Sequence, residues 1–325
     1  MERAGGTRRK LRKCFQKKKN DLVYLLALVG LWLFRKIPLS LALRIGGALG
    51  YAAYYVLPGV GARALGHLSL ALSAETSAKE RRGIARRSFG NLGKNAAELV
   101  NYHRIQGELG RYVSVVGREH LDGALAGNAG VLWIAAHLGN WELMACCLAQ
   151  LGYPIHVVAR EIYDPRLNRL LMRFRSEAGV SVIQRDSPSA AREILRAVKV
   201  RGCLAMLIDQ DTKVKGVMAD FFGIQANTPA GPALLACRQS IPVIAGCIHR
   251  LAGGKHEIVI APPIEIVRTG DTAADTRVNT ERFNKILEGF IRQYPDQWVW
   301  MHRRWRRRSP YQARPSRKPS GSVTI

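Results

Sequence analysis

The sequence holds no CxxC pair, no HExxH, no GxGxxG and no Walker A stretch in its 325 residues. The first two absences remove common spacings of zinc ligands, and the last two remove the glycine-rich cradles of nucleotide phosphates. His137, His156, His249 and His256 show no ligand spacing either, so neither a metal nor a cofactor is expected. Cysteine is sparse: Cys14, Cys146, Cys147, Cys203, Cys237 and Cys247 are the full set, and five of them lie in apolar or helical-looking stretches. A chain this long needs no disulfide staples, so they read as packed thiols in a reducing compartment. Cys146-Cys147 would be a conceivable thioester-forming nucleophile, but its apolar helical run favours a core position.

Acidic side chains are scarce too. Asp and Glu number 24 against 50 Lys and Arg, a net charge of +26, so an acidic partner is expected: nucleic acid, anionic lipid or an acidic protein. The rest of the composition is ordinary. Apolar residues make up 47% and charged residues 23%, which excludes a disordered, collagen-like or multispan membrane chain. No internal repeat is present.

The basic excess sits at the two ends. Residues 1–19 carry nine bases against Glu2 alone, and residues 302–325 carry eight bases and no acid. Lys17-Lys18-Lys19 leads into Leu22–Phe34, an uncharged run whose helix reaches only ~20 Å, short of a ~30 Å hydrocarbon core. The run Ile37–Leu57 is long enough, but Arg44 lies within it, at a cost of ~3 kcal/mol at a bilayer centre. Pro38 separates the two runs. No small-residue cleavage site follows, so a signal peptide is disfavoured. Residues 1–19 therefore read as a basic segment and 20–57 as membrane-anchoring helices, forming a tilted span or an interfacial anchor with the bases on the cytoplasmic side. A main domain spans 58–308, and the Pro-, Ser- and Arg-rich stretch 309–325 reads as a mobile tail.

Residues 75–105 are helical and amphipathic, with Ile84, Phe89, Leu92, Ala96 and Leu99 recurring at helical steps. From residue 130 short apolar runs at 130–136, 154–159, 180–183, 203–208, 241–248 and 256–260 read as strands. Helical patterns at 141–151, 165–178, 188–200 and 229–239 fill most of the gaps. A last helix covers 275–294, with Val278, Phe283, Ile286, Leu287, Phe290 and Ile291 on one face. This alternation predicts an α/β fold with a central, largely parallel sheet flanked by helices.

Ligands of open α/β sheets bind outside the carboxyl ends of the strands. Those ends carry His137, Arg160 and Asp209: a general base, a cation and a carboxylate along one edge. Around the first, Gly139 and Asn140 suit a tight turn and a helix N-cap, and Glu142 falls in the helix's first turn. Five residues from His137, Glu142 is expected to fold back onto one ring nitrogen, fix the tautomer and support an imidazolium. The free amides at the helix start would suit an oxyanion. A plainer alternative is that Glu142 only caps the helix.

His137-Leu138-Gly139-Asn140-Trp141-Glu142 resembles the H-x4-D/E signature of glycerolipid acyltransferases, in the form typical of the bacterial lipid A biosynthesis acyltransferase family. Ala159-Arg160 with Asn168 and Arg173 resembles that family's second block. Asp209-Gln210-Asp211, Gly216, Phe221-Phe222-Gly223 and Thr228-Pro229-Ala230-Gly231-Pro232 resemble the third. Trp298-Val299-Trp300-Met301-His302-Arg303-Arg304-Trp305 resembles the closing one. His67, where the family usually shows Asn, and a longer tail are the departures. The resemblance implies an acyltransferase domain that moves a fatty acyl chain from acyl carrier protein to a hydroxyl of a lipid A precursor. It implies His137 as base with Glu142 as its partner, and Arg160, Asn168, Arg173, Asp209 and Gln210 around the substrate. It also implies attachment to inner membrane lipids on the cytoplasmic face. Acidic carrier protein and phosphorylated glycolipid both suit the positive charge. The cation- and Trp-rich run 302–308 would suit nucleic acid, but no DNA- or RNA-binding motif accompanies it and nucleic acid is not expected. Two alternatives stay open: another glycolipid acceptor, such as a phosphatidylinositol mannoside, and a non-enzymatic basic protein that docks acidic partners at a membrane.

Overall fold

The structure is a computed structural model that describes residues 3–306 apart from 128, 163 and 213, with side chains from Asn20 onward. The tail 309–325 and the side chains of the basic segment 1–19 lie outside the described residues. The chain opens with α1 (Arg3–Lys36) and α2 (Leu39–Val56), and Pro38 stands at the break between them. There follow α3 (Pro58–Leu72), α4 (Ala78–Val100), and the short α5 (Tyr102–Ile105) and α6 (Leu109–Tyr112). Ser77 and Glu80 close a reciprocal capping box at the start of α4. α2 and α4 pack at very close range. A Cβ at Gly93 would strike the Gly46 carbonyl, so glycine is required there.

The α/β part runs β1 (Val113–Val116), α7 (Arg118–Leu125), β2 (Val131–Ala135), α8 (Trp141–Gln150), β3 (Ile155–Ala159), α9 (Pro165–Glu177), β4 (Ser181–Gln184), α10 (Ala190–Lys199) and β5 (Cys203–Leu207). The hairpin β6 (Gly216–Phe221) and β7 (Ile224–Pro229) comes next, then α11 (Gly231–Gln239), β8 (Val243–Arg250), β9 (His256–Ile260) and α12 (Thr272–Gln293). Seven strands form one sheet in the order β1-β9-β8-β2-β5-β3-β4. Every pairing is parallel except β8 with β9. The expectation of a large, mostly parallel sheet flanked by helices is met.

β2 shows why the sheet is sandwiched. Leu132 and Ile134 enter the core beneath α3, α4, α11 and α12, while Val131, Trp133 and Ala135 enter the one beneath α7 and α8. Successive strand side chains point to opposite faces, so a strand buried on both sides is apolar throughout. Several elements escaped the sequence pattern. β1 has only the four residues VSVV, the hairpin β6–β7 forms a separate two-stranded sheet, and α3 continues the apolar run of α2 after Pro58.

One expectation needs correction. Leu92 and Ala96, assigned to the apolar face of α4, are exposed, whereas Asn95 and Glu98 are buried. The last turns of α4 bury a polar face, and apolar periodicity cannot see one. In addition, no helix among the described residues is long and apolar enough to cross a membrane. The N-terminal anchor, as a tilted span or at the interface, is therefore not supported by a spanning helix among the described residues.

Candidate active site

β2, β5 and β3 are neighbours in the sheet, so the residues after their carboxyl ends share one rim. His137 follows β2 and Asp209 follows β5. The Asp209 carboxylate is 1% exposed and lies 2.7 Å from His137 Nδ1 through Oδ1. Its Oδ2 accepts the His137 backbone N–H at 2.8 Å and the Trp298 indole N–H at 2.7 Å. Burial by itself would raise this carboxyl, but the neighbouring His137 ring and these hydrogen bonds outweigh it and hold it well below the usual carboxylate range. An ionised carboxylate only accepts, so Nδ1 carries the ring proton and Nε2 keeps a free lone pair. The His137 side chain is 19% exposed, and the Trp141 ring meets it edge-on at 4.9 Å between centroids. The arrangement is an oriented imidazole with a buried counter-charge, suited to taking a proton through Nε2.

Glu142 does not orient His137, contrary to expectation. Its carboxylate is gripped by Arg175 of α9, with Nε at 2.8 Å and Nη2 at 2.5 Å. Both side chains are nearly buried. A guanidinium fork satisfies both carboxylate oxygens, and Asp209 already occupies Nδ1. Nor does Glu142 cap the helix: the Asn140 side chain does, accepting Leu143 N–H at 3.2 Å.

The other expected residues spread out. Arg160 ends β3 as foreseen, but its exposed side chain reaches Asp186 at 3.4 Å instead of turning to His137. Asn168 accepts the Ile162 N–H at 3.1 Å, a loop-bracing role. Arg173 is exposed and paired with Glu177 at 2.7 Å on its own helix. Gln210 is half-buried in the turn beside Asp209. Cys146 and Cys147 are buried, and burial pushes both thiols up, Cys147 to about 11, so neither is a ready nucleophile.

Gly139 and Asn140 take the expected turn and N-cap roles, and further residues brace them. Gly139 (φ 59) turns the chain after His137 where a Cβ would strike the Ile248 carbonyl. The Gly139 carbonyl accepts Asn95 Nδ2 at 2.6 Å, and its N–H donates to the Gln297 carbonyl at 3.0 Å. Asn140 Nδ2 donates to Glu98 at 2.8 Å; Glu98 is fully buried and also engages Arg250, His256 and Tyr112. Burial raises the Glu98 carboxyl, yet His256 and Arg250 prevail and bring it down to about 2. The closing segment adds Trp298, bridged to Leu138 through the backbone. It also adds Arg304, which is 1% exposed and donates to the Asn227 carbonyl and Thr228 Oγ1, each at 2.7 Å. Burial lowers Arg304 to about 10. Trp298 and Arg304 belong to a motif visible in the sequence. Asn95, Glu98 and Arg175 are single polar residues on amphipathic helices, and only the packing singles them out.

Against the other face of the sheet, an apolar cavity of about 50 Å³ is bounded by Trp133, Trp141, Met144, Leu148, Ala205 and Leu207. The Glu142–Arg175 pair stands on its wall, and Trp141 separates it from His137.

The sequence profile of a family described as bacterial lipid A biosynthesis acyltransferase matches residues 12–307. A phosphatidylinositol mannoside acyltransferase of Mycobacterium tuberculosis is 26% identical over 226 residues, 67% of this chain and 68% of its own. A lipid A biosynthesis lauroyltransferase of Escherichia coli is 26% identical over 286 residues, 86% of this chain and 89% of its own. A lipid A biosynthesis palmitoleoyltransferase of the same species is 25% identical over 290 residues, with the same shares.

Proposed function

The chain belongs to the bacterial lipid A biosynthesis acyltransferase family and is an acyltransferase; from that premise we propose that it moves a fatty acyl chain from an acyl thioester, that of acyl carrier protein, to a hydroxyl of a lipid A precursor. The observation that carries the reading is the His137–Asp209 pair at the sheet rim, with Nδ1 held by the buried carboxylate. His137 Nε2 takes the proton of the acceptor hydroxyl as that oxygen attacks the thioester carbonyl. Asp209 steadies the imidazolium that forms. The imidazolium then returns the proton to the leaving sulfur, so alcohol and thioester become ester and thiol. The positive end of the α8 dipole, just past His137, favours the developing oxyanion. The cavity behind Trp141 lodges the start of the acyl chain. Glu142 serves as a positioning residue that ties α8 to α9 through Arg175.

The similarity to phosphatidylinositol mannoside acyltransferases favours a second acceptor of the same chemical kind, a phosphorylated glycolipid. Mass spectrometry of lipids from cells lacking and regaining the gene separates the two. Restoration of one fatty acid on lipid A supports the first reading, and restoration on a mannoside supports the second. No change in either overturns both.

The same reading keeps the enzyme at the cytoplasmic face of the inner membrane as an interfacial protein. Leu22, Leu25, Leu26, Trp32 and Leu33 of α1, with Leu41, Ile45, Leu49 and Val56 of α2, are exposed apolar side chains that a lipid interface would cover.

A further inference from the structure

A second concavity lies between α2 and α4, away from the cavity already described. It measures about 410 Å³, and Arg44, Tyr51, Arg87, Asn91, Lys94 and Asp296 form its walls. Gly47 and Gly90 form the floor, and their lack of side chains leaves it open. Three cations thus face one acid. Arg87 is already paired with Asp296 at 3.0 Å, while Arg44 and Lys94 form no ion pair among the described residues. Arg86, one helical step away, donates to Tyr55 on α2 at 3.2 Å and adds a further positive charge to the rim.

The position on α2 identifies the occupant. At 100° per residue, Leu41, Ile45, Leu49 and Val56 share one exposed apolar face, and Ala42, Gly46 and Gly47 face the protein. Arg44, Tyr51 and Tyr55 stand on the flank between the two. When the apolar face rests in acyl chains, that flank lies at the depth of lipid phosphates, where tyrosines also gather.

We propose that this pocket is a binding site for the phosphate-bearing headgroup of an anionic membrane lipid, held by Arg44 and Lys94. The proposal rests on the interfacial reading above and not on the acyl-transfer chemistry. The site would lock the enzyme's orientation on the membrane, because it adds a fixed polar anchor to a non-directional apolar one.

The test uses the full chain with Arg44→Gln and Lys94→Gln combined, against a charge-matched control, Arg192→Gln with Arg196→Gln on α10, which packs on β4 and β5. Flotation on vesicles of phosphatidylcholine, with and without phosphatidylglycerol, reads the affinity. Two lost cations at the lipid surface should weaken binding to the anionic vesicles about tenfold or more. The control pair should lose little, and neither pair should alter binding to phosphatidylcholine alone. Transfer activity on detergent-dispersed substrates should stay at the wild-type level in both, which keeps this result separate from any failure of the acyl-transfer reading. Equal losses in the two pairs would mean diffuse charge attraction and would overturn the site. Two other outcomes would also overturn it: inorganic phosphate binding in calorimetry that accounts for the whole Arg44 and Lys94 effect, or an altered KM for acyl carrier protein with vesicle binding intact.

Discussion

Asp209→Asn is the most informative single change, because the structure dictates which way the new amide must face. The Oδ2 position receives two N–H groups, from the His137 backbone and the Trp298 indole, and neither can accept a hydrogen bond. The amide oxygen is therefore held there and the NH2 is turned onto His137 Nδ1. Nδ1 becomes the acceptor, Nε2 carries the proton, and the ring is left in the tautomer that cannot take one from the hydroxyl. The lost charge adds to this. With charge centres about 4 Å apart and an effective dielectric of about 20, Asp209 stabilises an imidazolium by ~4 kcal/mol. That corresponds to about a thousandfold in rate before the tautomer is counted. The assay is steady-state transfer from an acyl thioester to the glycolipid acceptor. The expected result is kcat down by a thousandfold or more with little change in KM. An Asp209→Asn enzyme that keeps activity within tenfold of wild type, while folding normally, would refute the reasoning.

Other consequences are open to measurement. His137→Ala should abolish transfer while thermal unfolding stays near wild type. Breaking the nearly buried Glu142–Arg175 pair from one side strands the other charge and should cost about 3 kcal/mol; in a double-mutant cycle, Glu142→Ala with Arg175→Ala should destabilise less than the sum of the two. Ala145→Leu, on the cavity wall, should lower kcat/KM for long acyl thioesters more than for short ones, and an equal loss across chain lengths would remove the cavity from acyl binding. The Glu98 carboxyl is depressed in the folded state, so the stability it contributes is present above its unfolded pKa of about 4.3 and fades as pH falls towards about 2. Melting temperatures across that range should fall less steeply for Glu98→Gln than for wild type.

Strands buried on both faces announce themselves as nearly unbroken apolar runs, which is why β2 and β8 are legible in the sequence. Placing His137, Arg160 and Asp209 at strand ends required only those runs and the rule for open sheets. Which carboxylate meets the imidazole was not legible. Glu142 is five residues away and Asp209 is 72, and sequence proximity favoured the wrong one. Parallel β2 and β5 bring Asp209 across in space, and Arg175, from another helix, takes Glu142 away. Likewise the burial of Asn95 and Glu98 follows from a polar cluster assembled by α4, β8 and β9, which no local pattern records.

The sealed guanidinium of Arg304 has a temporal consequence. It and Trp298 lie among the last described residues, yet one braces the hairpin and the other completes the hydrogen bonds to Asp209. While a ribosome still covers that stretch, the nascent domain can pair its strands but cannot finish the site. A premature stop codon between positions 261 and 297 would therefore yield a polypeptide with every sheet strand and no working centre.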